Sequence, residues 1–599
     1  MKKSLILFIL FQQILISQNN KLDTVWIGTQ KVSSRMNAIQ QISEQDIQKH
    51  PSITINDLFV AQPNVNIQNR GVLSSQSDIS IRGGSYEQVG VLLNGIRIND
   101  PQTGHNTFSM PFLMEDIEKI DVYKSASSKN LGQNGYSGAI QFTTKKIKSD
   151  YLQANISLGS FQTFNSTLSA GKVFKNHWHR LSVGYLNSNG YRANTDMEAI
   201  QGFTEHHATP FKNKNVDLYA LAGFVSKKFG ANGFYSNRFP NQYEEIQSYF
   251  YNAGIQTTQS KIDFYWKQNN DYFLLRRENP NFYKNRHHND SRGVLMRHTA
   301  GLFHQKAMLN LSGEYRNEQI HSSNLGDRNR DIFNANINVD FSLWDKLKLN
   351  IGQNTNYIIG FNPNITGGIQ AAFLLNKNHS INGGVNTAFR IPTFTELYYT
   401  APTDSGNAQL VSEDAINMEL GYKFQSKRTS FSAQAYYRNS TNQIDWIKKT
   451  DNATFFAAAN IGNVVVKGLE TQVDFFLGDD KAFVPFEKVS FSYVHNELTS
   501  ENLFPSKYNF NFLRNQAIGS LYLRYGKYLA QSLTLRIEDR PYLNKVFAVL
   551  DTKFEYDLSA TKSKLFLSIY NLTNTQYQYF QDILMPGIHF QAGMQFSPF

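Results

Sequence analysis

The residues most able to do chemistry are two histidine pairs, His206-His207 and His287-His288, since closely spaced imidazoles often begin a transition-metal site. Adjacent side chains on a strand point to opposite faces, and no Asp or Cys is read at ligand spacing from either pair. Both pairs are therefore expected to be solvated loop residues, and no metal site is assigned. Asp479-Asp480 could offer carboxylates to calcium in a loop, although no EF-hand pattern of alternating oxygens surrounds them, so loop calcium stays open. There is no G-x-S-x-G, no H-E-x-x-H and no phosphate-cradling glycine loop, and the chain is read as not an enzyme. The absence of cysteine removes disulfides, thiolate metal sites and an N-terminal lipidated Cys. What is left is noncovalent recognition. Its clearest seat is the Gly- and Asn-rich stretch SIRGGSYEQVGVLLNGIRINDPQTGH, residues 80–105.

The elements that must position such a stretch follow from composition and periodicity. Of 599 residues, 14% are aromatic, with 45 Phe and 31 Tyr against 15 Pro, which favours β structure. Met1-Lys2-Lys3, the apolar run from Leu5 to Ile16 and Ser17-Gln18 form a secretory signal, with cleavage expected after Ser17. Beyond it no apolar run exceeds about five residues, far short of a membrane helix, and the mean hydropathy is −0.43. Export without membrane helices leaves a soluble secreted protein or a membrane β-barrel. The net charge of +11 is scattered, with its densest cluster at Lys145, Lys146 and Lys148, so it suits anionic surfaces or ligands better than nucleic acid.

From Tyr151 onward the chain alternates with period two. Leu152, Ala154, Ile156 and Leu158 are separated by polar or small residues; so are Ile416, Met418 and Leu420, with Glu419 between, and Leu469 and Thr471 around Glu470. A soluble β-sandwich could show this alternation. Length favours a barrel, because residues 151–599 at about 20 per strand give roughly 22 antiparallel strands. In that reading Leu, Ile and Phe face lipid while Asn, Gln, Glu and Arg line the lumen. Tyr398-Tyr399, Tyr436-Tyr437 and Phe264-Tyr265-Trp266 are expected as aromatic girdles, and the terminal Phe599 fits an outer-membrane barrel.

So wide a barrel needs a filler, and the segment before residue 150 supplies one. Ser52 or Thr54 can cap a helix through Asp57-Leu58-Phe59-Val60, Ile79–Arg82 reads as a strand, and Val91–Ile98 reads as a hairpin turning at Asn94-Gly95. Ile117–Tyr123 and Gly138–Thr144 supply further strands.

SIRGGSYEQVGVLLNGIRIND and IEKIDVYKSASSKNLGQNGYSGAIQFTTKK resemble the plug of TonB-dependent outer-membrane receptors. FRIPTFTELYY (389–399), VKGLETQVDFF (466–476) and MPGIHFQAGMQF (585–596) resemble that family's barrel motifs. The resemblance implies a transmembrane β-barrel with an N-terminal α+β plug domain inside the lumen, divided as signal peptide 1–17, extension 18–35, plug 36–148 and barrel 149–599. Leu22 to Ile27 is similar to the TonB box, with Asp23, Thr24, Val25, Trp26 and Ile27 pairing as an added strand with periplasmic TonB of the TonB-ExbB-ExbD system. It also implies a monomeric barrel set in outer-membrane lipid, active import of a small-molecule cargo, no resident cofactor, and room for a surface lipoprotein partner.

By position, Asn99, Asp100, Gln102, Thr103, His105 and Asn106 match one ligand-facing plug loop of the family, and Asn130, Gln133 and Asn134 match a second. The first loop, with RRENPNFYKNRHH (276–288), is similar to Bacteroidetes-type cobalamin receptors, and amide-rich cobalamin suits Asn, Gln, Thr and His. A ferric siderophore is the alternative, favoured by the basic charge; a passive porin or adhesin is more distant. Arg82 matches a family position that pairs with barrel carboxylates, here Glu419 and Glu470. As wet lumen pairs these are expected to contribute about 0–1 kcal/mol each.

Overall fold

The computed structural model describes residues 39–599 except 72, 74, 125–134, 212–214, 236–237, 305, 402, 449, 451–452, 479–484, 502–503, 508–510, 559–560 and 599. The signal peptide, the segment Asp23–Ile27, loop residues Asn130, Gln133 and Asn134, the pair Asp479-Asp480 and Phe599 lie outside the described residues.

Twenty-two antiparallel strands, each paired with its neighbour in sequence, form a barrel that closes where His589–Phe596 pairs with Tyr151–Gly159. Closure gives every strand two partners, so no edge is left. The period-two pattern sets the two faces. Ile156, Leu158, Met418 and Leu420 point outward and are exposed, while Glu419, Arg536 and Glu538 point into the lumen and are buried. At one end the connections are short, as at 257–259, 303–306 and 344–346; at the other they run over 391–412, 442–463 and 571–588. Long loops mark the cell-surface end of outer-membrane barrels.

The aromatic clusters divide between the faces. Phe264 and Trp266 face outward, but Tyr265 is buried in the lumen, where its hydroxyl donates to Glu314 at 2.6 Å. Tyr436 lies within the strand Thr429–Thr441 and is likewise buried inside. Tyr398 ends a short helix, Phe394–Tyr398, in a surface-side connection. Alternation forces neighbours in such a cluster onto opposite faces, so a girdle reading cannot hold for a whole cluster.

The lumen is filled by a five-stranded sheet ordered Ile39–Ser43, Ile117–Tyr123, Gly138–Thr144, Val89–Leu93 and Ile96–Arg97, with a separate hairpin of Val65–Asn69 and Ser77–Ile81. Gly138–Thr144 runs parallel to Val89–Leu93. Asn94 and Gly95 both take positive φ, 52° and 84°, as a tight hairpin turn with right-handed strand twist requires. The helix Asp57–Val60 forms, but its cap is inverted relative to expectation: the Asp57 carboxylate accepts from Ile53 N, Thr54 N and Thr54 Oγ1 at 2.8–3.1 Å. The plug core runs from Leu58 and Phe59 through Ile120 and Phe142 to Phe203, Leu221 and Phe250 on the barrel wall. Plug and wall therefore share one apolar core.

Candidate functional site

The loop after the hairpin, residues 99–106, is held by its own side chains. Asn99 accepts from Val91 N (2.8 Å) and donates to Val89 O (2.9 Å), tying the loop to the strand it leaves. Asp100 accepts from Gln102 N at 2.8 Å and from Asn289 on the barrel at 3.4 Å. Gln102 donates to Asp271 at 3.1 Å and accepts from Asn289 at 2.7 Å. Thr103 Oγ1 donates to Glu87 at 3.5 Å, and Asn106 donates to Asp271 at 3.5 Å. The carbonyls of Pro101 and Gln102 accept from the Phe394 and Thr395 amides, in the first turn of Phe394–Tyr398. That turn is the FRIPTFTELYY motif, and Arg390 clamps it with paired hydrogen bonds of 2.8–3.0 Å to both Glu396 and Glu413. Asp100, Gln102, Thr103 and Asn106 are buried and seat the loop.

His105 differs. It is half-buried, its Nδ1 lies 2.6 Å from Asp78, and its ring stacks on Tyr86 with centroids 4.4 Å apart. Tyr235, from the connection above the strand Asp217–Gly230, meets it edge-on at 6.5 Å. Arg70 pairs with Asp78 at 2.9 Å, and its guanidinium lies 3.9 Å from the Phe580 ring centre. Sequence reading missed Tyr86, Tyr235, Arg70 and Phe580. Tyr86 sits inside the stretch 80–105, but Tyr235 and Phe580 come from barrel connections with no periodicity to mark them.

Burial governs the charges here. It pushes Glu87 up to about 8, helped by Glu396 and opposed by Arg390, and pushes Asp100 up to about 6 against the pull of Lys267. It also lowers His105, so the imidazole tends toward neutral. Burial acts to raise Asp78 too, but His105 and Arg70 outweigh it and hold the carboxyl below its ordinary value.

Below this loop the plug meets the wall through charge. Arg82, itself at a left-handed φ of 49°, places Nη1 3.2 Å from Glu419 and Nη2 3.9 Å from Glu470, with its guanidinium 4.2 Å from the Tyr436 ring centre. Lys124 pairs with Glu470, and Asn64 donates to Tyr436 at 2.7 Å and to Glu470 at 3.1 Å. The sequence brings Arg82, Glu419 and Glu470 together as expected, but not as wet pairs. The Arg82 and Glu419 side chains are 4% and 2% exposed, because the plug fills the lumen they face. Desolvation sets their energetics, and removing one partner strands a buried charge.

The histidine pairs also depart from expectation. They lie in strands, Met197–Ala208 and Lys284–Leu302, and carboxylates are within reach. His207 sits between Asp217 (2.7 Å) and Glu205 (3.0 Å), and His288 lies 2.9 Å from Asp290. The carboxylates come from the next strand or from two residues away on the same face, a spacing that only pleat and register make visible. Among the described residues no group of three or more His, Cys, Asp or Glu could hold a metal ion.

Residues 31–139 match the TonB-dependent receptor plug domain, and residues 103–572 match the TonB dependent receptor-like β-barrel. The vitamin B12 transporter BtuB of Vibrio cholerae serotype O1 is 23% identical over 222 residues, 37% of this chain and 34% of that protein, so the match spans about a third of the curated relative's length. Among solved structures, the FrpB iron transporter from Neisseria meningitidis superposes with a TM-score of 0.77 at 12% identity, covering 94% of this chain and 99% of that one. The siderophore receptor PirA from Acinetobacter baumannii gives 0.76 at 12% identity, covering 96% and 100%. At such identities the likeness shows the fold alone. The plugged 22-strand barrel and a family match over most of the chain together establish that this protein belongs to the TonB-dependent receptors, a family of outer-membrane β-barrels.

Proposed function

We propose that the protein imports cobalamin across the outer membrane, driven through TonB. The observation that carries the cargo reading is the chemistry around His105. Tyr86, Tyr235 and His105 offer flat aromatic surface whose polar atoms are held within the protein, Tyr86 Oη by His105 Nε2, His105 Nδ1 by Asp78 and Tyr235 Oη by Gln76 and Glu244, while the cations nearby are already neutralised, Arg70 by Asp78 and Lys507 by Asp404. Such a floor suits a bulky, weakly charged molecule, met by aromatic surface rather than by an unpaired charge. The named activity of the Vibrio relative supports the same reading. A ferric siderophore is the second reading: the net charge of +11 would draw an anionic chelate.

Capture tight enough to collect a scarce nutrient makes spontaneous release slow, so import needs outside work. In this reading the segment Asp23–Ile27 pairs with TonB as an added strand, and pulling displaces the plug. The test compares uptake and surface binding of labelled cobalamin and ferric chelates in cells carrying the intact chain, a deletion of residues 22–27, or the double variant Tyr86→Ala/His105→Ala. The expected result is that the deletion abolishes cobalamin import while sparing binding, and the double variant weakens cobalamin binding. Import of a ferric chelate alone would transfer the assignment to the siderophore reading, and unchanged import after the deletion would reject the proposed box.

A further inference from the structure

The outer wall carries a row of rings on the surface-loop side of its apolar band. Tyr251 stacks on Trp266 with centroids 5.4 Å apart, and Tyr315, Phe333 and Tyr357 follow at spacings of 5.1 and 6.3 Å. The row breaks on the strand Lys284–Leu302. There the residue opposite Trp266 is Arg292, and the next outward residue, Val294, lies opposite Phe264 and Tyr315. Arg292 is exposed and, among the described residues, makes no hydrogen bond or ion pair. The acid two residues away on the same face, Asp290, is engaged by Trp266 Nε1 at 2.7 Å and by His288 at 2.9 Å.

Beside this cation the wall carries a shallow, open groove of ≈ 730 Å³. Register makes its floor: Thr204 lies opposite Ala222, Ala220 opposite Ala253, and Ala253 opposite Phe264. Short side chains on adjacent strands thus meet where the surrounding outward positions carry Tyr251, Phe264 and Trp266. A guanidinium on the lipid-facing surface of a barrel is costly near the midplane and cheap only near an interface, where it can pair bidentately with a phosphate.

We propose that this groove is a binding site for a phosphorylated glycolipid of the outer leaflet, with acyl chains lying against Ala220, Ala222 and Ala253 and a phosphate held by Arg292. The leaflet follows from the position of Arg292 on the long-loop side of the apolar band, and the ligand charge from its unpaired guanidinium. The site is independent of the cargo.

The full chain, purified in detergent, is titrated with bisphosphorylated lipid A, dephosphorylated lipid A and phosphatidylethanolamine, with bound lipid read by native mass spectrometry. The bisphosphorylated form is expected to bind tightest. Arg292→Gln should weaken it about tenfold, Arg292→Lys should weaken it less, and Ala253→Phe should reduce binding by blocking the floor. Compact migration in unheated gels verifies that each barrel is folded, and Arg292, on the exposed face, tests the idea even if Ala253→Phe does not fold. Equal binding of the dephosphorylated glycolipid or of phosphatidylethanolamine, or unchanged affinity in Arg292→Gln, overturns the proposal.

Discussion

Two of the polar seams between plug and barrel differ in chemistry. Around Arg82 the contact is ionic and buried, with Arg82 and Lys124 facing Glu419 and Glu470. Around residues 99–106 it is made of side-chain amides and backbone groups with two carboxylate acceptors and no side-chain cation among the partners, Gln102, Asn106, Asp100 and two plug carbonyls meeting Asp271, Asn289 and the first turn of Phe394–Tyr398. Hydrogen bonds donated by amides break one at a time, at about 1 kcal/mol each or about 1.5–3 kcal/mol where the acceptor is a carboxylate such as Asp271, whereas taking one member from a buried charge cluster leaves the others desolvated and unpaired. The ionic seam therefore resists piecemeal loosening and gives way as a unit. The amide seam can be rearranged locally, which suits the side that carries His105.

The largest test of that contrast is Arg82→Ala. It should destabilise plug seating by about 3–5 kcal/mol, seen as faster protease cleavage of the plug and greater permeability to large antibiotics. Wild-type protease resistance would show that the ionic seam carries no more than an exposed pair. A smaller effect is expected from pH. Glu87 ordinarily titrates near 4.5 and stands at about 8 in the folded plug, so the folded state holds its proton more tightly and that stability is lost as pH rises toward 8. Asp100 and Asp116, both raised to about 6 chiefly by burial, act in the same direction over lower pH. Plug unfolding in urea should become easier from pH 6 to 8, and Glu87→Gln should flatten that stretch of the profile; an unaltered slope would remove Glu87 from the seam. The smallest effect belongs to Gln102→Ala, which removes an amide bonded to the Asp271 carboxylate and should cost about 1.5–3 kcal/mol, with a smaller gain in protease access than Arg82→Ala. A loss as large as that of Arg82→Ala would erase the distinction between the seams.

Much of the fold could be read locally. Period-two alternation marked the outward Leu, Ile and Phe and the inward Glu419 and Glu470, and the Asn94-Gly95 turn marked its hairpin, because pleat and turn geometry act over a few residues. The candidate site was less legible. Asn99, Asp100, Gln102 and Asn106 are polar types suited to a ligand, yet most of their polar atoms go to seating the loop on plug and barrel. Tyr235 and Phe580 reach His105 and Arg70 from connections far along the chain.

The amino-acid sequence by itself determined a many-stranded sheet with one apolar face and a small α+β unit before it, since hydrophobic periodicity is a property of neighbouring residues. Only the tertiary structure decided what that inner face meets. With the plug seated, Tyr436 became a partner of Asn64 and Arg82 and the ion pairs became dry. Burial depends on what occupies the lumen, and that is set by contacts between residues hundreds of positions apart.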